Sequence, residues 1–179
     1  MLKTIREVLR TGTATVQYPF APIERPKDAR GKPEHDAEKC IACSACAVAC
    51  PPNAIQTVLD LVEGTKSWSI NYGRCVFCGR CEEVCPTNAI KLSKEFELAV
   101  MDKNDLEEIC TYSLKKCKQC GEYFAPTKEV DYAARILAQY SDDEEVKDAL
   151  DSLSLCMHCK QKRDAYRYQR LSAQAGDLL

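Results

Sequence analysis

One pattern, written twice, constrains this chain more than any other feature. The segment CIACSACAVACPPNAI (Cys40 to Ile55) recurs as CVFCGRCEEVCPTNAI (Cys75 to Ile90), 35 residues later. All four cysteines, one proline and the closing Asn-Ala-Ile recur in register. Such a repeat specifies two copies of one structural unit. Each copy reads C-x2-C-x2-C-x3-C-P, a run that holds 4Fe–4S clusters, and each cube needs four thiolates. Three cysteines spaced three apart let a tight loop wrap one cube with its backbone amides toward the sulfurs. Zinc favours paired C-x2-C knuckles with a longer span between them, so two zinc sites are the weaker reading of these runs.

In two-cluster bacterial ferredoxins the fourth cysteine of each run ligates the other cluster. The same rule assigns Cys40, Cys43, Cys46 and Cys85 to one 4Fe–4S cluster here. Cys75, Cys78, Cys81 and Cys50 go to the other. The fourth cysteine is expected to start a short helix that carries it away from its own loop, with Pro51 and Pro86 ending that helix. Crossed ligands of this kind fix both cubes in one body, which makes a relay. The first loop is apolar (Ile41, Ala42, Ala45, Ala47, Val48), whereas the second carries Arg74, Arg80, Glu82 and Glu83. The two sites are therefore expected to differ in potential, in an order the sequence does not give.

Thirteen cysteines in 179 residues could also mean a secreted disulfide scaffold. Their clustering, and an N-terminus (MLKTIREVLR) with charges throughout, point instead to metal in a reducing cytoplasm. Metal sites supply folding energy, so a large apolar core is not required. A net charge of -2 offers no bulk basicity for nucleic acid. No apolar run approaches the roughly 20 residues of a membrane-spanning helix.

The chain reads as α+β in three parts. Residues 1–34 form an arm with Leu2, Ile5, Val8 and Leu9 on one helical face and an excess of Lys and Arg. Beyond it Thr13–Gln17 is β-like, and Pro19, Pro22, Pro26 and Pro33 prevent a helix. The helix either packs on its own domain or docks on a partner subunit or membrane surface. Residues 35–100 form the two-cluster ferredoxin-like core. Strands are expected at Ile55–Val62, Trp68–Tyr72, Ile90–Leu92 and Phe96–Val100, with a turn at Glu63–Lys66. Residues 101–179 form a helical extension. Val130, Ala133, Ala134 and Leu137 share one helical face. Ser141 with Glu144 reads as a capping box at the head of an acidic run, Asp142 to Glu145, before a second helix through Val146, Ala149, Leu150 and Leu153.

The extension also carries Cys117-x2-Cys120 and Cys156-x2-Cys159. Two such knuckles build a closed tetrahedral site for one zinc ion, with rubredoxin-type iron as the alternative. A closed four-thiolate site leaves no open position for catalysis, so its role is structural. Cys110 is left over as a buried free thiol, and His35 and His158 are not expected to be ligands. No nucleophile constellation or phosphate loop suggests independent catalysis.

The stretches TVQYPFAP, RGKPEHDAEKCIAC, GRCVFCGRCEEVCPTNAI and KEFELAV carry a family resemblance. They resemble the two-cluster (TYKY-type, 23 kDa) subunit of respiratory complex I and its relatives in membrane-bound NiFe hydrogenases. RTGTATVQYPFAP and the cysteine-rich extension are most similar to the formate hydrogenlyase and hydrogenase-4 branch. The resemblance covers residues 1 to about 125 well and the remainder more loosely. It implies a relay on the cytoplasmic face of the cell membrane, held there through partner subunits. Electrons would enter from an iron–sulfur protein on the formate dehydrogenase or ferredoxin side. They would leave to the NiFe hydrogenase subunit holding the proximal cluster. Residues 1–34 would meet the membrane-arm subunits.

Two other functions compete. A free-standing ferredoxin would need neither arm nor tail. A zinc-ribbon regulator would draw on the C-terminal knuckles and on Lys160–Arg170, where five Lys/Arg face one acid with Tyr166 and Tyr168 interleaved. That stretch reads more simply as a partner-docking or solvated helix, and no nucleic-acid partner is expected.

Overall fold

The computed structural model describes residues 2–13, 15–139 and 144–176. The chain opens with helix α1 (Leu2–Thr11), none of whose residues is buried. Its apolar face, Leu2, Ile5, Val8 and Leu9, is exposed to solvent. No strand forms over the expected Thr13–Gln17, of which Ala14 lies outside the described residues. An irregular proline-rich run leads to strand β1 (Pro33–His35).

The repeat then contributes α2 (Ala45–Val48), β2 (Ile55–Asp60), β3 (Thr65–Asn71), α3 (Arg80–Glu83) and β4 (Ile90–Leu92). β1 pairs antiparallel with β4, so the residues entering and leaving the repeat are stitched together. β2 and β3 form a hairpin in the register Ile55↔Ile70 to Asp60↔Thr65. Its turn falls at Leu61–Gly64, two residues before the expected Glu63–Lys66. Asp60 decides this, because its carboxylate accepts the amides of Val62 (2.9 Å) and Glu63 (3.0 Å). Gly64 then closes the turn at φ 68°.

The longest strand, β5 (Glu107–Lys116), went unread in the sequence. It follows a single 3-10 turn at Lys103–Leu106 and pairs with β3 from Thr65↔Ser113 to Asn71↔Glu107. β6 (Tyr123–Pro126) completes the order β2-β3-β5-β6, so this sheet runs across position 100. The strand expected at Phe96–Val100 is not there. Phe96 instead meets the arm, with Tyr18 6.0 Å away and the Arg25 guanidinium 4.6 Å over its ring. The open edge of β3 is satisfied by β5, whose inward Tyr112 and Leu114 bury.

The core lies between this sheet and the two cysteine loops. Trp68, Ile70, Ile90 and Pro33 are its most buried large side chains. Ala42, Ile55, Tyr72, Cys81 and Tyr112 pack with them, and Cys40, Cys46, Cys50 and Cys85 border the cluster. Full burial of one such aliphatic side chain contributes roughly 1.5–3 kcal/mol.

Beyond the sheet stand α4 (Thr127–Leu137), α5 (Glu144–Ser152) and α6 (Met157–Gly176). The first two fall where helical spacing places them. The capping residue Ser141 and the acids Asp142 and Asp143 lie outside the described residues. Asp148 of α5 bonds Arg167 of α6 at 2.8 Å. Among the described residues no helix is long and apolar enough to cross a membrane.

Candidate metal centres

The two cysteine runs fold alike, position for position. Ala42 and Phe77 take left-handed backbone (φ 58° and 52°), as do Ser44 and Gly79 (67° and 84°) and Asn53 and Asn88 (51° and 53°). Left-handed backbone costs a non-glycine residue roughly 1–2 kcal/mol. The geometry gained in return is a set of amides on sulfur. Ala42 N–H donates to Cys40 Sγ and Phe77 N–H to Cys75 Sγ, both at 3.4 Å. Ala54 N–H donates to Cys50 Sγ at 3.3 Å and Ala89 N–H to Cys85 Sγ at 3.1 Å. The repeated Asn-Ala-Ile thus has a physical meaning. Asparagine tolerates the left-handed turn, alanine donates to sulfur, and Ile55 and Ile90 bury in the core.

One local expectation is corrected. The fourth cysteine does not start a helix; it follows one. α2 and α3 contain Cys46 and Cys81, and Cys50 and Cys85 come just past their ends. A residue before proline is disfavoured in helical backbone, so Cys50-Pro51 and Cys85-Pro86 are exits from a helix.

Two cavities result. Cys40, Cys43, Cys46 and Cys85 line one. Cys75, Cys78, Cys81 and Cys50 line the other. Their remaining walls are mostly apolar: Ile41, Trp68 and Ile90 at the first, Ile55, Ile70 and Leu92 at the second. Burial pushes the Cys46 and Cys75 thiols up and the Cys81 thiol up to about 11. Cys85 goes the other way. Burial alone would raise it, but the Thr87 amide and hydroxyl and the amides of Ala89 and Ile90 hold it below the ordinary thiol value. Walls of this kind disfavour bare thiolates unless a positively charged group offsets them.

Side chains that sequence reasoning did not single out complete the loops. Trp68 Nε1–H donates to Cys46 Sγ at 3.4 Å. Lys66 Nζ donates to the Ala42 carbonyl at 2.7 Å, and Arg30 Nη1 to the Cys78 carbonyl at 2.8 Å. Lys128 of α4 donates to the carbonyls of Ala37 and Glu38. The one signal available was that Trp68 is the chain's single tryptophan and stands between the two runs.

Cys110 is half-buried rather than fully enclosed, with its sulfur 3.6 Å from His35 Nδ1. His35 stacks on Trp68 at 3.8 Å. Glu108 lies beside them and accepts from the Tyr72 hydroxyl at 2.6 Å.

In the extension, Cys117, Cys120, Cys156 and Cys159 place their sulfurs within 4.8 Å of one another. Gly121 (φ 78°) turns the first knuckle, and Cys156 and Cys159 stand at the head of α6. Cys156 N–H donates to Cys117 Sγ at 3.2 Å. Burial opposes the Cys117 thiolate, yet the amides of Cys156, Cys120 and Gln119 outweigh it and bring that thiol down to about 6. Burial and the neighbouring sulfurs push Cys159 up to about 12. Metal ligation by these thiols would require all four to lose their protons. His158 is exposed and stands outside this group.

Residues 39–89 match the family model described as a 4Fe-4S dicluster domain. The chain is 46% identical over 163 residues to formate hydrogenlyase subunit 6 of Escherichia coli (strain K12), a span covering 91% of this chain and 90% of that one. It is 41% identical over 105 residues to NAD(P)H-quinone oxidoreductase subunit I of Prochlorococcus marinus (strain AS9601), 55% of this chain and 50% of that relative. A chain in the structure of the membrane-bound sulfane sulfur reductase, an archaeal respiratory membrane complex, aligns at 30% identity with a TM-score of 0.44. That alignment covers 57% of this chain and 56% of the other.

Proposed function

The chain belongs to the family of formate hydrogenlyase subunit 6, and from that premise we propose that it is the two-cluster electron-transfer subunit of a membrane-bound NiFe hydrogenase or formate hydrogenlyase-type complex. It is an iron–sulfur electron-transfer subunit with no catalytic residues of its own. The observation that carries the reading is the pair of cavities, each lined by three cysteines of one run and the fourth of the other. The residues present fit a 4Fe–4S cube at each. The donors are four soft sulfurs, peptide amides already point at them, and the walls are apolar.

Cys40, Cys43, Cys46 and Cys85 would hold the first cluster, and Cys75, Cys78, Cys81 and Cys50 the second. Each cluster, when bound, takes up and gives back one electron at a time. The loops fix the sulfurs, and Trp68, Ile55, Ile70 and Ile90 exclude water from them. Because each run serves both cavities, the two sites cannot drift apart without unfolding the core.

Cys117, Cys120, Cys156 and Cys159 would hold one zinc, or a single rubredoxin-type iron, as a structural clasp between β5 and the head of α6. The arm of residues 1–34 is the docking element. A helix of ten residues with its apolar face bare is marginal in water and gains order against a partner. Its partners are membrane-arm subunits. The core's partners are an iron–sulfur donor on the formate dehydrogenase or ferredoxin side and the subunit holding the proximal cluster of the NiFe enzyme. These put the protein on the inner face of the cell membrane, held there by other subunits. The complex I sibling is matched over 105 residues only, whereas the hydrogenlyase relative is matched through the knuckles as well.

The test is anaerobic purification from the native membrane through a tag on this chain. NiFe hydrogenase subunits should be recovered with it. The chain itself should carry on the order of eight cluster irons and eight acid-labile sulfides. Cys50→Ser should remove the cluster of the second loop and spare the first. Recovery alone would support a soluble carrier, and zinc without labile sulfide would end the reading.

A further inference from the structure

The pseudo-symmetry of the two runs supplies its own control. At each cavity the leading cysteine accepts one amide (Ala42 to Cys40, Phe77 to Cys75) and the crossing cysteine accepts another (Ala89 to Cys85, Ala54 to Cys50). To that point the two sites are matched. Beyond it they are not. The Trp68 indole donates to Cys46 Sγ at 3.4 Å, and among the described residues no side chain donates to the equivalent Cys81. The Thr87 hydroxyl lies 3.7 Å from Cys85 Sγ. The residue equivalent to Thr87 in the first run is Pro52, which has no hydroxyl. Both loops have a cation on one backbone carbonyl. Lys66, at the first, is half-buried, whereas Arg30, at the second, is exposed and so screened by solvent.

Reduction adds negative charge to a site. Every N–H or O–H aimed at sulfur, and every poorly screened cation nearby, favours the reduced form and raises the potential. Resting on the two-cluster reading above, we propose that the site of Cys40, Cys43, Cys46 and Cys85 is the more oxidising of the two stations, and that Thr87 and Trp68 set the difference. An electron shared within the subunit then rests at the first site. One centre is oxidised by one electron as the other is reduced by one.

The experiment is a redox titration of the anaerobic holoprotein followed by EPR, with iron and sulfide measured on every sample. Thr87→Val keeps shape and removes the hydroxyl. It should lower the upper of the two midpoints and leave the lower one in place. Loss of one hydrogen bond of about 1 kcal/mol is roughly a fivefold change in the one-electron equilibrium, or about 40 mV. The reciprocal change, Pro52→Thr, should raise the lower midpoint and narrow the gap. Trp68→Phe should act as Thr87→Val does; because Trp68 is a fully buried core residue, the variants at half-buried Thr87 and Pro52 decide the matter. If iron and sulfide stay near their full complement while Thr87→Val moves the lower midpoint, or moves neither, the assignment is overturned. Wild-type protein without labile sulfide would instead overturn the two-cluster reading on which the assignment rests.

Discussion

Gly64→Ala tests whether the cluster core and the extension are locked together at one turn. Gly64 closes the β2–β3 hairpin at φ 68°, and its carbonyl accepts the Leu114 amide of β5 at 2.8 Å. A Cβ built there would stand 2.4 Å from Cζ of Tyr123, with two more ring carbons at 2.7 Å. Two separate costs follow. The left-handed backbone penalises alanine by roughly 1–2 kcal/mol. Forcing a methyl into a packed ring adds roughly 1–3 kcal/mol. Together they come to about 3 kcal/mol, which in a chain of this size lowers the melting temperature by roughly 6–12 °C. The two costs separate in a double-mutant cycle. In a Tyr123→Ala background the ring is gone, so Gly64→Ala should show the backbone cost alone, about half the original loss. Anaerobic thermal unfolding followed at the cluster absorbance reads all four proteins under one condition. Equal losses in both backgrounds would refute the steric argument, and with it the claim that the turn and β6 are packed as one body.

Glu129 gives a pH-dependent prediction. Burial raises its carboxyl above the usual range, and attraction to Lys66 only partly opposes this. A carboxyl raised on folding weakens the fold at pH values above its folded pKa, and the penalty fades as pH falls toward the unfolded value of about 4.3. Glu129→Gln should therefore raise the anaerobic melting temperature at pH 8, with the gain shrinking toward pH 5. A gain that grows on acidification would show the sign to be wrong. At the knuckles, Cys120→Ser should lower the metal content by about one atom per chain while leaving iron–sulfur content intact. Protease should then cut between residues 117 and 159 far faster than in the parent. Unchanged metal content with intact knuckles elsewhere would remove Cys120 from the site.

Much of this chemistry was legible in one dimension because it is local. Cysteine spacing fixes which sulfurs one loop can gather, and a repeat in register fixes that there are two loops. The recurrence of Asn53 and Asn88 was visible as well, though only the backbone shows that both sit in left-handed turns that free an amide for sulfur. Spacing also placed α4 and α5, whose apolar positions follow the helical period. It misplaced the last strand. Phe96 to Val100 looks apolar enough to pair, yet Phe96 is taken by Tyr18 and Arg25 of the arm. The strand that pairs is β5, whose charged ends hide its alternation.

The sequence alone determined the candidate ligands of the proposed centres: eight cysteines in two runs and four in two knuckles, since covalent spacing sets what a short loop can enclose. Only the tertiary structure decided what surrounds each sulfur. Trp68 reaches Cys46 across 22 residues, Lys66 reaches Ala42 across 24, and Arg30 reaches Cys78 across 48. Such contacts depend on strand pairing and on which edge of the sheet each segment finds, and no local pattern encodes them. They give two runs of the same cysteine spacing different surroundings.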